Sequence, residues 1–334
     1  MAKHQRRPER SRLVDVAALA GVAVSTASRA LNNPAMVRPE TRDRVRAAAE
    51  ALAYEPNRAA RGLITGRSAA IAVIVYDITN SYYGRICRAA QEAARPRGHE
   101  VVIVDTGSDP AREAELLRST SRLVDGIILC GATRSYPPRP FGVPLVYVSR
   151  RARGSHSVVV DPVSMVRDPI THLVALGHER IDWVAGPKWG WSADRRLRTA
   201  ERLAAHHDIR VLRPDGVDFQ SGVEMAETFD GRATAVVCYT DRQAFGFMGR
   251  GQELGLRFPQ DVSVVGAFDA PGSAHFAPTL TTFALPQEEL ATTAVDLLLD
   301  HPGADDRAIS TTLRGRLIVR TSTAPPGATP ADPR

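Results

Sequence analysis

From Ala69 onward, short β-branched runs alternate with stretches of helical spacing, and no other feature restricts the fold as much. Ile71–Val75, Val101–Val104, Ile127–Leu129 and Leu145–Val148 read as strands, with helices over Tyr83–Arg97 and Ala111–Leu123 between them. The pattern resumes with Val158–Val160, a helix near Met165–Leu176, Ile181–Ala185 and a helix near Ala193–Ala205. Ala235–Cys238, Gln243–Leu254 and Val262–Val265 follow. Repeated β-α-β units build parallel sheets with helices on both faces. Two such sets give two doubly wound lobes, with a ligand crevice at the carboxyl ends of the strands.

The first sixty-odd residues break this pattern, and they carry the charge. Residues 1–67 hold thirteen Lys and Arg against six Asp and Glu, whereas the remaining 267 residues are almost neutral, with 30 bases against 31 acids. A short basic unit on a neutral body is the electrostatic footprint of a nucleic-acid-binding head. Within it, Leu13–Ala20 has apolar residues at helical spacing and stops at Gly21. After the turn Gly21-Val22-Ala23, Val24–Leu31 reads as a second helix ended by Asn32-Asn33-Pro34. Two short helices about a glycine-containing turn make a helix-turn-helix, whose second helix enters the major groove. Its outward face carries Val24, Ser25, Ser28 and Arg29, with Ala27 and Leu31 turned inward. A third helix begins at Pro39, an N1 proline, and runs to about Tyr54.

Several classes of protein drop out. The longest apolar stretch, Ala69 to Tyr76, is eight residues, against the roughly 20 that span a bilayer. The charged N-terminus has no apolar segment of a secretory signal. Three widely spaced cysteines form neither a disulfide framework nor a zinc cluster, so the expected compartment is the cytoplasm. The chain has no G-x-G-x-x-G, P-loop lysine, G-x-S-x-G or H-E-x-x-H pattern, so an enzyme, a cofactor or a metal is not expected. His178 falls in a helix-to-strand connection, as a structural histidine would.

Three runs in the head carry a resemblance: Asp15 to Asn32 (D-V-A-x-x-A-G-V-x-x-x-T-x-S-R-x-L-N), Val37 to Val45 (V-R-P-E-T-R-x-R-V) and Leu52 to Leu63 (L-A-Y-E-P-N-R-x-A-R-x-L). Further matches lie in the body at Asp77-Ile78-Thr79-Asn80, Ala175-Leu176-Gly177-His178 and Pro278-Thr279-Leu280-Thr281-Thr282. In these runs the chain resembles the LacI/GalR family of bacterial repressors over nearly its whole length. The resemblance implies an all-α helix-turn-helix headpiece over 1–55 and a hinge helix over 56–67. An α/β periplasmic-binding-protein-like body of two doubly wound parallel-sheet lobes follows over 68–323. One lobe takes about 68–158 plus 287–317, the other 159–286 plus 318–323. Proline-rich residues 324–334 are expected to be a disordered tail.

By the same resemblance Val24, Ser25 and Arg29 read bases, while Thr26, Ser28, Asn32 and Asn57 meet phosphates. Arg29 is suited to a guanine edge and Val24 to a thymine methyl. In the hinge, Ala60 permits close approach to the minor groove and Leu63 is the wedge that kinks it. The implied protein is a transcriptional regulator, most readily a repressor, that binds a palindromic DNA operator as a homodimer under control of a small-molecule effector. Arg12, Ala23 and Arg38 stand where the family has Ser or Thr caps, and Ser11 is placed to cap the first helix one residue early.

Effector contacts are implied for Asp161, Arg198 and Asp241, with Trp189 or Trp191 to stack on the ligand. As the residues themselves read, Asp161 and Asp241 are equally placed to cap adjacent helices. Pro162, Thr240, Ser149 and the Ala267-Phe268-Asp269 run depart from the family pattern. Fewer amides and carboxylates, with the Phe268 ring added, point to a partly apolar or modified-sugar effector. The competing reading is a free-standing small-molecule (sugar-like) binding protein whose N-terminal segment does not read DNA.

Overall fold

The computed structural model describes residues 11–54, 68–137, 139–301 and 308–327, in two units that divide at Ser68 and Ala69. The expected hinge with Asn57, Ala60 and Leu63 lies outside the described residues, as do residues 328–334 of the tail.

The first unit is built from α1 (Leu13–Ala20), α2 (Val24–Asn32) and α3 (Pro39–Ala51). At Gly21 the backbone turns left-handed, with φ of 63°, which a residue without a Cβ adopts at no steric cost. The apolar positions then meet in one small core of Val16, Ala17, Ala20, Ala27, Ala30 and Val45. Arg12, Ala23 and Arg38 make no side-chain cap bond. An arginine only donates, so α1 keeps half a capping box, in which Asp15 Oδ2 accepts from the Arg12 N–H at 2.8 Å. Ser11 does not cap α1. Its hydroxyl donates to the Leu52 carbonyl at 2.7 Å, tying the start of the unit to the end of α3.

The second unit holds two six-stranded sheets. In the first, β1 (Ala70–Val75), β2 (Glu100–Asp105), β3 (Gly126–Cys130), β4 (Leu145–Val148), β5 (His156–Val160) and β11 (Ser310–Leu313) take the order β2-β1-β3-β4-β5-β11. In the second, β6 (Arg180–Val184), β7 (Asp208–Leu212), β8 (Ala235–Val237), β9 (Ser263–Ala267), β10 (Thr281–Ala284) and β12 (Arg316–Ile318) take the order β7-β6-β8-β9-β10-β12. All pairings are parallel except β10 with β12. Central strands are buried on both faces, which is why β1 and β3 read as unbroken apolar runs.

Helices α4 (Ser81–Ala94), α5 (Pro110–Thr120) and α10 (Gln287–Asp300) pack with the first sheet. The second lobe has α6 (Ser164–Ala175), α7 (Trp191–Leu203), α8 (Phe219–Glu227) and α9 (Asp241–Glu253). Two expected boundaries move. Strand β5 continues to Val160, so the first crossing between lobes falls at 161–163 and not after 158. Strand β12 pairs with β10, which assigns Arg316 and Leu317 to the second lobe. Ordered structure also extends past Thr323: the Ala324 carbonyl accepts from His178 Nε2 at 2.9 Å and from Ser263 Oγ at 3.0 Å. His178 is buried and bonds Thr234 Oγ1 through Nδ1.

Helices α8 and α9 touch through two glycines. A Cβ on Gly222 would strike the Gln243 carbonyl and come within 2.8 Å of the Phe247 nitrogen, and one on Gly246 would strike the Phe219 carbonyl. Both obstacles are backbone and cannot swing away. Gly222→Ala or Gly246→Ala should therefore cost about 1–3 kcal/mol of unfolding free energy in urea. Gly249→Ala, on α9 but facing open space, should instead gain up to about 1 kcal/mol from helix propensity.

Candidate nucleic-acid interface and ligand cleft

On α2 the buried positions Ala27 and Ala30 fix which side faces outward. Val24, Ser25 and Arg29 are exposed, with Thr26 and Ser28 half-buried beside them. The helix ends at Asn32. A short helix presenting an apolar side chain, a hydroxyl and a guanidinium to solvent has the chemistry that base edges require.

Both sheets begin with the strand order 2-1-3-4-5, so each has a switch point where connections leave in opposite directions, between β1 and β3 and between β6 and β8. The residues that follow those four strands, among them Tyr76, Asp77, Gly131, Pro187, Trp189 and Tyr239, line one cleft of about 320 Å³ between the lobes. Three contacts close it. The Tyr76 and Trp189 rings lie 4.4 Å apart, Arg242 Nη1 meets Asp77 Oδ2 at 3.2 Å, and Arg150 Nη2 donates to the Trp189 carbonyl at 2.9 Å. Deeper in, Phe268 packs against Tyr82 at 5.0 Å and edge-on against Tyr239 at 6.4 Å.

The expected effector residues separate into two groups. Trp189, Trp191 and Phe268 line the cleft. Asp161 and Arg198 do not; with Trp191 they border an adjoining groove of about 230 Å³. Asp161 accepts from the Val163 and Ser164 N–H groups at 3.1 and 3.2 Å, capping the start of α6. Arg198 points to solvent and pairs with Asp194 at 3.1 Å. The α7 arginine that enters the cleft is Arg196, two residues earlier, 1% exposed and with its guanidinium 4.0 Å from the Tyr239 ring centroid. Two helical residues turn a side chain through roughly 200°, so Arg196 and Arg198 face opposite ways. The signal was present in α7, whose buried positions Ala193, Arg196, Thr199 and Ala200 form one helical stripe.

Asp241 is neither a cleft contact nor a helix cap. It lies beneath the cleft floor, 1% exposed. Its Oδ2 accepts from the Ala270 N–H at 2.5 Å and the Ser273 hydroxyl at 3.0 Å, and its Oδ1 from the Thr282 hydroxyl at 2.6 Å. Just before Ala270, Phe268 and Asp269 take left-handed conformations, φ of 98° and 50°, that ordinary side chains rarely adopt. Among the described residues no group of three or more His, Cys, Asp or Glu could hold a metal ion, and no single helix is long and apolar enough to cross a membrane.

Residues 12–57 match the bacterial regulatory proteins of the lacI family, and residues 170–323 match a periplasmic binding protein-like domain. The repressor CytR of Escherichia coli strain K12 is 30% identical over 92% of this chain and 95% of its own length. The chain belongs to the LacI family of bacterial regulatory proteins. It is a DNA-binding transcriptional repressor whose body answers to a small-molecule effector. Catabolite control protein A of Staphylococcus epidermidis is 27% identical, covering 86% of this chain and 92% of that protein. Among solved structures, the lac repressor dimer bound to operator and the anti-inducer ONPF aligns with a TM-score of 0.84 at 28% identity, over 95% of this chain and 100% of that one.

Burial raises the Asp241 carboxyl to about 7, against the opposing pull of its three hydrogen bonds. A proton is therefore held more tightly folded than unfolded. The stability this contributes is full below about pH 4 and lost as the pH rises to about 7. In Asp241→Asn this dependence should vanish. The difference in unfolding free energy between the two proteins should change by up to about 1.4 kcal/mol per pH unit across that window and level off above it. A flat difference from pH 4 to 7 would show that the carboxylate titrates normally.

Proposed function

We propose that this LacI-family protein works as a cytoplasmic homodimer whose two headpieces read the half-sites of a palindromic operator, with the cleft ligand deciding whether they stay bound. The observation that carries the reading is the exposed Val24, Ser25 and Arg29 face of α2, on a headpiece of the lacI type. One such helix covers too few base pairs for useful selectivity, so a second copy is needed. Strand β2, at the edge of its sheet, offers surface to such a copy, with Val102 and Ile103 42% and 40% exposed. The solved lac repressor resembling this chain is a dimer on its operator, which supports the same arrangement here.

In this reading Arg29 and Ser25 contact base edges and Val24 a thymine methyl. Thr26, Ser28, Asn32 and Asn57 approach phosphates, Ala60 lies close in the minor groove, and Leu63 wedges it open. Effector binding changes closure of the lobes across the Asp77–Arg242 and Arg150–Trp189 contacts, and closure is coupled to operator affinity. The coupling is reciprocal: an effector that weakens operator binding is itself bound more weakly on operator, by the same factor. Arg196, Trp189 and Phe268 contact the effector, which is small and partly apolar. The role is regulation without catalysis.

Fragments selected from the native genome by the purified protein should share a palindrome, bound with an affinity that falls steeply as salt rises. Arg29→Ala should weaken discrimination at one base pair per half-site by about 1–3 kcal/mol. Equal weakening on all sequences would make Arg29 a phosphate contact. Leu63→Ala should reduce operator bending without changing ligand binding by the body.

A further inference from the structure

The polar groups of the cleft are unbalanced, and the imbalance bears on the ligand. A neutral sugar offers hydroxyl donors and acceptors in equal number, so its site needs side chains of both kinds. Here all the carboxylates around the cleft but one, Asp215 at its rim, are already engaged within the chain. Asp77 accepts from Arg242 and from Thr79, through both its N–H and its hydroxyl. Asp241 is filled by Ala270, Ser273 and Thr282, and Asp269 accepts from Arg320 at 2.7 Å. The Asn80 side-chain oxygen caps α4. Asp215 and Asp218 stand at the exposed rim, where Asp218 caps α8.

Donors are in the opposite condition. Arg196 is 1% exposed, and its Nε has no hydrogen-bond partner among the described residues. No carboxylate there lies within ion-pair distance of it either. An unpaired buried guanidinium is costly unless an anion joins it. Its guanidinium stacks on the Tyr239 ring and shares a hydrogen bond with that side chain, neither of which supplies a negative charge, and a guanidinium edge is suited to two adjacent oxygens of an anion. Flat rings contribute to the remaining lining: the Tyr76–Trp189 pair where the lobes meet, and Phe268 with Tyr82 deeper in.

We infer that the cleft takes a small planar organic anion, a carboxylate carried on a flat and largely apolar ring, with the carboxylate seated on Arg196. The inference rests on the cleft being the effector site and names the chemical class that site accepts. The donor fork neutralises the anion, and the aromatic side chains of the lining pack against the ring.

The test uses the full-length chain and titration calorimetry. Benzoate, 4-hydroxybenzoate and cinnamate are each compared with the matching amide, and glucose, ribose, adenosine and glucose 6-phosphate complete the panel. At least one aryl carboxylate should bind saturably, with its amide at least tenfold weaker. Arg196→Gln should abolish that binding, and Arg196→Lys, which keeps the charge but not the fork, should weaken it at least tenfold. Because Arg196→Gln removes an unpaired buried charge, the variant without ligand should melt no lower than the parent protein, which separates lost binding from lost folding. Arg196-dependent binding of a sugar, nucleoside or sugar phosphate, with no aryl carboxylate bound, would overturn the ligand class and leave the cleft as the effector site. Binding of any of these that ignores both Arg196→Gln and Trp189→Ala would remove the cleft itself as the site. Failure of all three carboxylates also counts against the inference.

Discussion

The Asp241 carboxylate accepts hydrogen bonds from three places in the second lobe: the backbone at Ala270, the hydroxyl of Ser273 and the hydroxyl of Thr282 on β10. It can reach them only because β9 carries Gly266 opposite, where a Cβ would collide with the carboxylate. The segment after β9 runs through two left-handed residues, Phe268 and Asp269, immediately before the bonded Ala270, and the Phe268 ring packs against Tyr82 and Tyr239. Gln287 of α10 donates to the Phe268 carbonyl and Arg320 to Asp269, so the corner is braced from both sides. Backbone held in a sparsely populated region persists where its surroundings overdetermine it, and such positions concentrate at binding sites. Ser149, on the opposite wall, is likewise left-handed and shares a hydrogen bond with the Tyr82 hydroxyl. The shape of the cleft is thus set by buried polar bonds beneath its walls.

Much of this was legible in the chain. Interior strands of parallel sheets are covered on both faces, and their apolar runs announced β1, β3, β4 and β9. The elements left unread include β10 and the helices α8 and α10 as well as three strands of mixed or brief sequence. β7, as DIRVL, lies at a sheet edge; β11, as STTL, is polar; and β12 is three residues long. The headpiece was read almost to the residue because Gly21 and Pro39 mark its turns and the alanines mark its core.

Residues of the cleft were harder to read, and the misplacements have a common cause. Asp161 and Arg198 have the right chemistry for a ligand but lie where the fold has other uses for them. Asp161 follows directly on β5, where the next helix needs a cap, and Arg198 stands on the solvent side of α7. Asp241 was found as an important carboxylate, yet its partners come from Ala270, Ser273 and Thr282, which no local spacing connects to it. Trp189, Trp191 and Phe268 line the cleft because each follows a strand or glycine turn at the end of the sheet that faces the other lobe.

The chain passes between the lobes three times, at 161–163 after β5, at Leu285-Pro286 before α10, and at Arg314-Gly315 between β11 and β12. Neither lobe is therefore a continuous length of polypeptide. A protease cut in any one crossing leaves both halves laced together by the other two, and no single fragment of the gene encodes a whole lobe. Three separate tethers restrict how far one lobe can slide or twist against the other more than a single linker would.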